Sequence, residues 1–373
     1  IRADGSVELA VLGLGDGADA MLFRSAADTK PRGDYRLVSA PRGLDATPVA
    51  TAWALGGYVF DRYRKRREAA PARLVAPRGA DLDEARRIGH ACALCRDMVN
   101  TPANDMGPRQ IETIAREIAE QYGARISVVT GDELHEANYP AVHAVGRAAH
   151  ADRAPRMIEL SWGEAGPLIA LVGKGVVFDT GGLDIKPSSG MRLMKKDRGG
   201  AAHALALGRM IMDAGLKVRL VVLVPAVENA ISGDAMRPGD VLASRKGLSI
   251  EVGNTDAEGR LILADALARA AELEPALTLD FATLTGAARV ALGPQVIPFY
   301  TDDDALAKAV QAAAAKASDP VWRMPLWAGY ADAVESDIAD LRNDPEAWAQ
   351  AGSITAALFL QRFAPASGWA HFD

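Results

Sequence analysis

The chain has 373 residues, 49% of them hydrophobic and 24% charged, and its 42 Lys+Arg against 48 Asp+Glu leave a net charge of −6. That length suggests about two domains with a core that needs no disulfides, while the composition and two cysteines exclude whole-chain disorder and a disulfide scaffold. No apolar run reaches the ~18–20 residues that span a bilayer, the acidic balance argues against nucleic acid, and two close thiols without an export signal point to the cytoplasm.

In chain order, residues 7–14 form a short apolar run that ends at Gly13-Leu14-Gly15 and predicts a strand entering a turn. Residues 46–63 are apolar at helical spacing and run into Arg62, Arg64, Lys65, Arg66 and Arg67. This basic cluster suits a solvated helix C-terminus better than an acidic partner. Residues 71–79, rich in Pro, Ala and Arg, mark a boundary. Residues 81–99 then predict one helix, capped by Asp81 or Asp83, with Ile88, Cys92, Cys95 and Val99 on one stripe. Cys92 and Cys95 read as core packing, since a zinc site would need a second ligand pair. Pro102 breaks the helix. The expected organisation is an N-terminal α/β domain over 1–75, incomplete because the chain opens on Ile1, then a connecting helix over 76–100 and a large domain over 101–373.

Within the large domain the spacing predicts strands over 125–130, 168–172, 218–224 and 277–284, and helices over 199–214, 258–273, 305–318 and 353–363. Apolar strands separated by helices mean an α/β fold: a mixed, mostly parallel sheet sandwiched by helices. Chemistry in such sheets gathers at the carboxyl ends of strands.

The unusual residues fall there. Four acids (Asp179, Asp197, Asp256, Glu258) and three cations (Lys174, Lys186, Arg260) lie on glycine-rich loops beside strand ends. Four converging carboxylates repel one another and stay ionised together only beside a compensating charge. A pair of divalent metals supplies it and activates a water for hydrolysis. The plain alternative is scattered surface acids; the surrounding glycines, which let backbone approach a ligand closely, tip the balance. None of the six histidines is paired at a metal-ligand spacing, and His203 reads as packing. Phe178-Asp179-Thr180-Gly181 occurs once, whereas an aspartic protease needs two such aspartates. Gly173-Lys174-Gly175 lacks the spacing of a phosphate-binding loop.

At these residues the chain resembles the leucyl aminopeptidases, the cytosol aminopeptidase or M17 family of metallopeptidases. Asn254-Thr255-Asp256-Ala257-Glu258-Gly259-Arg260-Leu261 reproduces that family's eight-residue signature, and Val172–Gly175, Phe178-Asp179, Lys186-Pro187 and Met194-Lys195-x-Asp197 match a second block in order and spacing. Residues 100–104 and 282–287 resemble flanking segments, so the similarity runs from about residue 81 to the end and is weak before residue 80.

The resemblance implies that 101–373 is a di-metal peptidase domain. A looser site would use Asp179, Asp256 and Glu258, and a tighter one Lys174, Asp179, Asp197 and Glu258, with Asp179 and Glu258 bridging. It implies a metal-bridged hydroxide as nucleophile, Lys186 stabilising the oxyanion and Arg260 holding bicarbonate. Met194, Thr283 and Gly286 would line an apolar pocket for a leucine-like first residue, although Met194 fits a core position equally well. The implied cofactors are two Mn²⁺ or Zn²⁺ ions, the substrates peptides with a free N-terminus, and the assembly a homohexamer. The alternatives are a DNA-binding architectural protein, supported by residues 62–67 alone, and an inactive scaffold of the same fold. Arg198 stands where the family usually has an apolar residue, and a guanidinium there is expected to compete for Asp197 or weaken the tighter site. Residues 343–348 replace an expected glycine-rich turn, and the chain stops at Asp373 where the family continues.

Overall fold

The computed structural model describes residues 7–15, 19–29, 31, 33–65, 72–345 and 350–373. The chain divides into two compact units, Ile1–Asp97 and Met98–Asp373.

The first unit carries, in order, α1 (Arg24–Thr29), β1 (Gly33–Tyr35), α2 (Ala46–Gly56), β2 (Ala72–Leu74) and the start of α3 (Leu82–Asn100). β1 and β2 pair in parallel, and Phe23, Val49 and Ala52 form a small core. The strand expected over 7–14 is absent from residues 7–14: β1 and β2 satisfy each other, and Leu12 and Leu14 pack on the core as irregular chain. A strand without a partner leaves its backbone groups unpaired. Helix α2 stops at Gly56, short of the expected Tyr63. Gly56 lies so close to α1 that a Cβ there would sit 2.0 Å from the Arg24 carbonyl oxygen. Arg62, Arg64 and Lys65 therefore follow an already terminated helix and do not cap it, while Arg66 and Arg67 lie outside the described residues. In α3, Asp81 is the cap, its Oδ1 accepting from the amides of Asp83 and Glu84 at 3.1 and 2.9 Å. Cys92 and Cys95 are half-buried on this helix, and burial pushes the Cys95 thiol up to about 11.

The second unit continues with α4 (Pro108–Tyr122), β3 (Arg125–Thr130), α5 (Glu133–Glu136), α6 (Pro140–Gly146), β4 (Arg156–Trp162), β5 (Leu168–Gly173) and β6 (Gly175–Asp179). Then come α7 (Ser188–Met191), a 3₁₀ helix (Met194–Arg198), α8 (Gly199–Asp213), β7 (Arg219–Asn229), β8 (Val241–Ala243), β9 (Ser249–Glu251) and α9 (Glu258–Glu272). The chain ends with β10 (Leu277–Phe281), α10 (Gly286–Leu292), β11 (Ile297–Tyr300), α11 (Asp304–Ala317), β12 (Val321–Met324), β13 (Leu341–Arg342), α12 (Gly352–Gln361) and β14 (Trp369–Phe372).

Nine strands form one sheet in the order β12-β11-β14-β10-β5-β7-β4-β3, with β6 extending the pairing of β7. The central pairs β14–β10–β5–β7 are parallel; β3–β4, β4–β7 and β11–β14 are antiparallel. This is the mixed, mostly parallel sheet expected, flanked by helices. The strand expected over 218–224 runs on to Asn229, because Pro225–Val227 stay apolar and pair with β4 and β6.

Helix α9 is buried on nearly every side, and its charged residues Glu258, Arg260 and Asp265 are buried with its apolar ones. Leu261, Ile262, Leu263 and Leu267 are fully buried, each worth ~1.5–3 kcal/mol of burial. That packing against β5, β7, α6 and α12 fixes the N-terminus of α9, where Glu258 and Arg260 sit. Among the described residues, no helix is long and apolar enough to cross a membrane.

Candidate active site

The site lies where β5, β6 and β10 end against the starts of α8 and α9. The sequence places its acids on loops; the structure places Asp179, Asp197 and Glu258 within secondary-structure elements and leaves Asp256 on the turn before α9. Lys174 occupies the single-residue break between β5 and β6, its amide donating to the Phe281 carbonyl at 3.0 Å and its own carbonyl accepting from Ala201 at 2.8 Å. Asp179 is the last residue of β6, Asp197 lies in the 3₁₀ helix before α8, and Glu258 and Arg260 begin α9. A Cβ at Gly259 would fall 2.5 Å from the Lys174 Nζ, so any larger residue there would displace that lysine.

These residues converge. Lys174 Nζ faces Asp197 Oδ2 at 2.7 Å and Glu258 Oε1 at 3.1 Å. Lys186 Nζ faces Asp179 Oδ2 at 2.8 Å and pairs with Asp256. A carboxylate oxygen of each of Asp179, Asp256 and Glu258 lies within 4.8 Å of the others. Lys174, Asp179, Lys186, Met194, Asp197, Asp256, Arg260, Thr283 and Gly286 line one cavity of about 720 Å³, and Glu258 is buried beside it against Lys174. All ten residues singled out in the sequence are thus in one place. Met194 lies in the cavity wall and is half-buried. Thr283 lines the cavity and also donates from Oγ1 to Asp197 Oδ1 at 2.8 Å.

The electrostatics are strained toward more positive charge. Burial pushes the Glu258 carboxyl up to about 8, with Asp179 adding to the push and Lys174 opposing it. Burial likewise pushes Asp256 up to about 6, against the opposing contact with Lys186. Burial disfavours the Lys174 ammonium, but Asp197, Glu258 and Asp179 outweigh it and hold its pKa above the ordinary lysine value. The same balance lifts Lys186 to about 12, and Lys174 and Lys196 hold Asp197 below the usual carboxylate range despite its burial.

Few protein donors reach the buried oxygens of the site. Asp256 Oδ1 and Asp197 Oδ2 have only an ammonium nearby, and the Glu258 carboxyl meets only the Lys174 ammonium and its own amide. Buried acceptors are normally satisfied, so these spare lone pairs, aimed together beside a cavity, fit a hard divalent cation. Arg260 is buried too: one guanidinium nitrogen donates to the Asn343 carbonyl, and its Nε is unsatisfied.

Three organising residues were not singled out in the sequence. Asn229, at the end of β7, donates to Asp179 Oδ1 at 2.8 Å and to the Thr255 carbonyl at 3.1 Å. The buried Asn343 accepts from the amides of Gly253 and Asn254 at 2.7 and 3.2 Å and donates to the carbonyls of Asn254 and Ala257, shaping the turn that presents Asp256. Asp373 accepts from the amides of Leu284 and Thr285 at 2.8 and 3.0 Å and lines the cavity. The continued apolar run of β7 was a usable signal for Asn229; the other two act through partners about 90 residues away. Of the segment 343–348, which stands where a glycine-rich turn was expected, residues 346–348 lie outside the described residues.

Two expectations change or sharpen. Arg198 does not compete for Asp197: its fully buried guanidinium donates to the carbonyls of Met98, Thr101, Met106 and Val177. Asp197 Oδ1 is served by Thr283 and, at 3.0 Å, by Lys196. His203 packs its ring on Phe281 and bonds the Gly199 carbonyl at 2.7 Å.

Comparison with known proteins bears on the same residues. The catalytic domain of the cytosol aminopeptidase family matches residues 93–373, and the M17 aminopeptidase N-terminal domain matches residues 2–77. A probable cytosol aminopeptidase of Syntrophotalea carbinolica is 42% identical over 364 residues, which are 92% of this chain and 72% of that protein. One from Roseiflexus castenholzii is 40% identical over 344 residues, 88% of this chain and 70% of that protein. Among solved structures, the cytosol aminopeptidase from Coxiella burnetii superposes with a TM-score of 0.90 at 44% identity, covering 96% of this chain and 78% of that one. The bottromycin maturation enzyme BotP in complex with Mn gives 0.87 at 36% identity, covering 95% and 80%.

Proposed function

The chain belongs to the cytosol aminopeptidase family of metal-dependent peptidases, and from that premise we propose that it removes apolar, leucine-like N-terminal residues from peptides at a centre holding two divalent ions. The observation that carries the two-ion reading is the set of crowded, buried carboxylate oxygens whose main partners are the ammonium groups of Lys174 and Lys186. Asp179, Asp256 (side chain and backbone carbonyl) and Glu258 would hold one ion, and Lys174, Asp179, Asp197 and Glu258 the other, with Asp179 and Glu258 shared. Lys174 would take part as the neutral amine, so its proton leaves when the ion enters. The solved neighbour holding Mn supports Mn²⁺, and a donor set of oxygens with one amine also accepts Zn²⁺. When bound, such ions supply Lewis-acid polarisation of the scissile carbonyl and activation of the hydrolytic water.

The chain's own groups do the rest. Lys186 stays charged at neutral pH and faces the cavity, so it can donate to the oxyanion that develops at the scissile carbonyl. Arg260, with an unused Nε and a planar fork of donors, suits a carboxylate-like anion and would hold bicarbonate, which would supply a proton-carrying base beside the scissile bond. Met194, Thr283 and Gly286 shape the wall that would receive the first side chain. The substrate's free α-amine would be held at the two-ion centre, and an internal peptide bond lacks that group, which restricts the reaction to the chain end. Residues 1–75 serve as the N-terminal domain, 76–100 as the connecting helix and 101–373 as the catalytic domain. The relatives' names support action in the cytoplasm, and the family resemblance supports a homohexamer.

The test is release of p-nitroaniline from leucine-p-nitroanilide after chelation and after restoring Mn²⁺ or Zn²⁺, beside the N-acetylated substrate. Metal-dependent cleavage of the free-amine substrate alone is expected. Equal cleavage of both substrates, or activity that survives chelation, would overturn the reading.

A further inference from the structure

Resting on the two-ion reading, we propose that Arg198 is a positioning residue: it locks the 3₁₀ helix that carries Asp197 onto the strand that carries Asp179, and so sets the affinity of the more buried metal position. Five residues of 3₁₀ helix have little stability of their own. Asp197 needs an external hold, and Arg198, next in sequence and fully buried, supplies it. Its Nε donates to the Met98 carbonyl at 2.8 Å, one terminal nitrogen donates to Met106 and Val177 at 3.0 and 2.8 Å, and the other donates to Thr101. Val177 is two residues before Asp179 on β6. Lys195 adds a bond to the Asn100 carbonyl at 2.6 Å. Lys195 and Arg198, three residues apart, thus both bind the 98–106 segment, and of the two only Arg198 also reaches β6.

A guanidinium suits this task because its donors point in several fixed directions at once. A lysine ammonium carries the same charge on one short-range point and cannot reach all four carbonyls. Charge and positioning therefore predict opposite results. A buried cation acting only through its charge would repel incoming metal, so removing it would tighten binding. A cation acting by position would weaken binding when removed, and lysine would not replace it.

The experiment is calorimetric titration of chelated protein with Mn²⁺, with stoichiometry checked by electron paramagnetic resonance and folding by circular dichroism. The wild type is expected to take up two equivalents, and Asp197→Asn identifies which one depends on Asp197. In Arg198→Met and Arg198→Lys that equivalent should weaken by ~10–100-fold, the usual loss when a group orienting a metal ligand is removed, while the other stays within about threefold. Unchanged or tighter binding in Arg198→Met, or wild-type binding in Arg198→Lys, overturns the proposal. If Arg198→Met does not fold, Arg198→Lys and Lys195→Met decide: wild-type binding in both refutes it. A wild type that takes up no divalent ion refutes the two-ion reading itself, a result distinct from two equivalents that ignore residue 198.

Discussion

Glu258 and Asp265 share helix α9 and are both buried, yet their surroundings treat them in opposite ways. Asp265 has its oxygens fully used: Oδ2 accepts from the amides of Ala141 and Val142 at the start of α6, at 2.8 and 3.1 Å, and Oδ1 from the amide of Arg245 at 2.8 Å. Asp280 on β10 is similar, accepting from Trp369 Nε1 at 2.6 Å and facing His371 Nδ1 at 2.5 Å. Glu258 has only its own amide and the Lys174 ammonium for its oxygens, and its carboxyl lies beside three other acids. A buried acid whose lone pairs are filled by protein donors holds structure together. One with unused lone pairs, crowded by other acids beside a cavity, is built to bind something else.

The sharpest way to break that contrast is Asp256→Ala. It should remove one metal equivalent and the activity together, read by metal analysis and the anilide assay; activity that persists would exclude Asp256 from the ligand set. Lys186→Ala should keep both equivalents while lowering turnover by ~10²–10³-fold, the usual loss of one oxyanion donor. An unchanged rate would take Lys186 out of the mechanism.

The next contrast is in stability. Asp265→Ala strands three backbone amides and should cost on the order of 2–4 kcal/mol in denaturant unfolding without changing metal stoichiometry. Glu258→Gln, unfolded in chelator, should be about as stable as the wild type, because burial already pushes the Glu258 carboxyl up to about 8 and leaves it mostly neutral at pH 7, like the amide that replaces it. If Glu258→Gln loses as much stability as Asp265→Ala, the distinction between the two acids fails.

The smallest effect is a pH dependence in the structural set. Burial disfavours protonated His371, but Asp280 outweighs it and raises its pKa. With the folded value above the unfolded ~6.5, this contribution is complete below that pH and is lost as pH rises through the folded value. Thermal midpoints should therefore fall more between pH 6 and pH 9 in the wild type than in His371→Gln. Parallel curves would show that the pair does not titrate in this way.

Much of the large unit was legible because its signals are local. Buried strands and amphipathic or all-apolar helices betray themselves within ten to fifteen residues, and α8, α9, β5 and β10 appear close to their expected bounds. The small unit was less legible. The run over 7–14 has strand composition but no partner, and α2 ends where Gly56 meets the Arg24 carbonyl. Neither fact is written near those residues in sequence.

The same division holds at the site. The types and order of Lys174, Asp179, Lys186, Asp197, Asp256, Glu258 and Arg260 stand in the sequence, because metal-binding and oxyanion chemistry demand particular functional groups next to glycine-rich strand ends. Their geometry depends on Asn229, Asn343 and Asp373, ordinary polar residues whose partners lie far along the chain. The sense in which Arg198 acts was equally hidden: its neighbour in sequence is a carboxylate, and the structure directs it to four carbonyls instead. Sequence alone determined which chemical groups this protein carries and in what local elements. Tertiary structure decided which acids have their lone pairs filled and which are left open, because hydrogen-bond satisfaction is a property of neighbours in space.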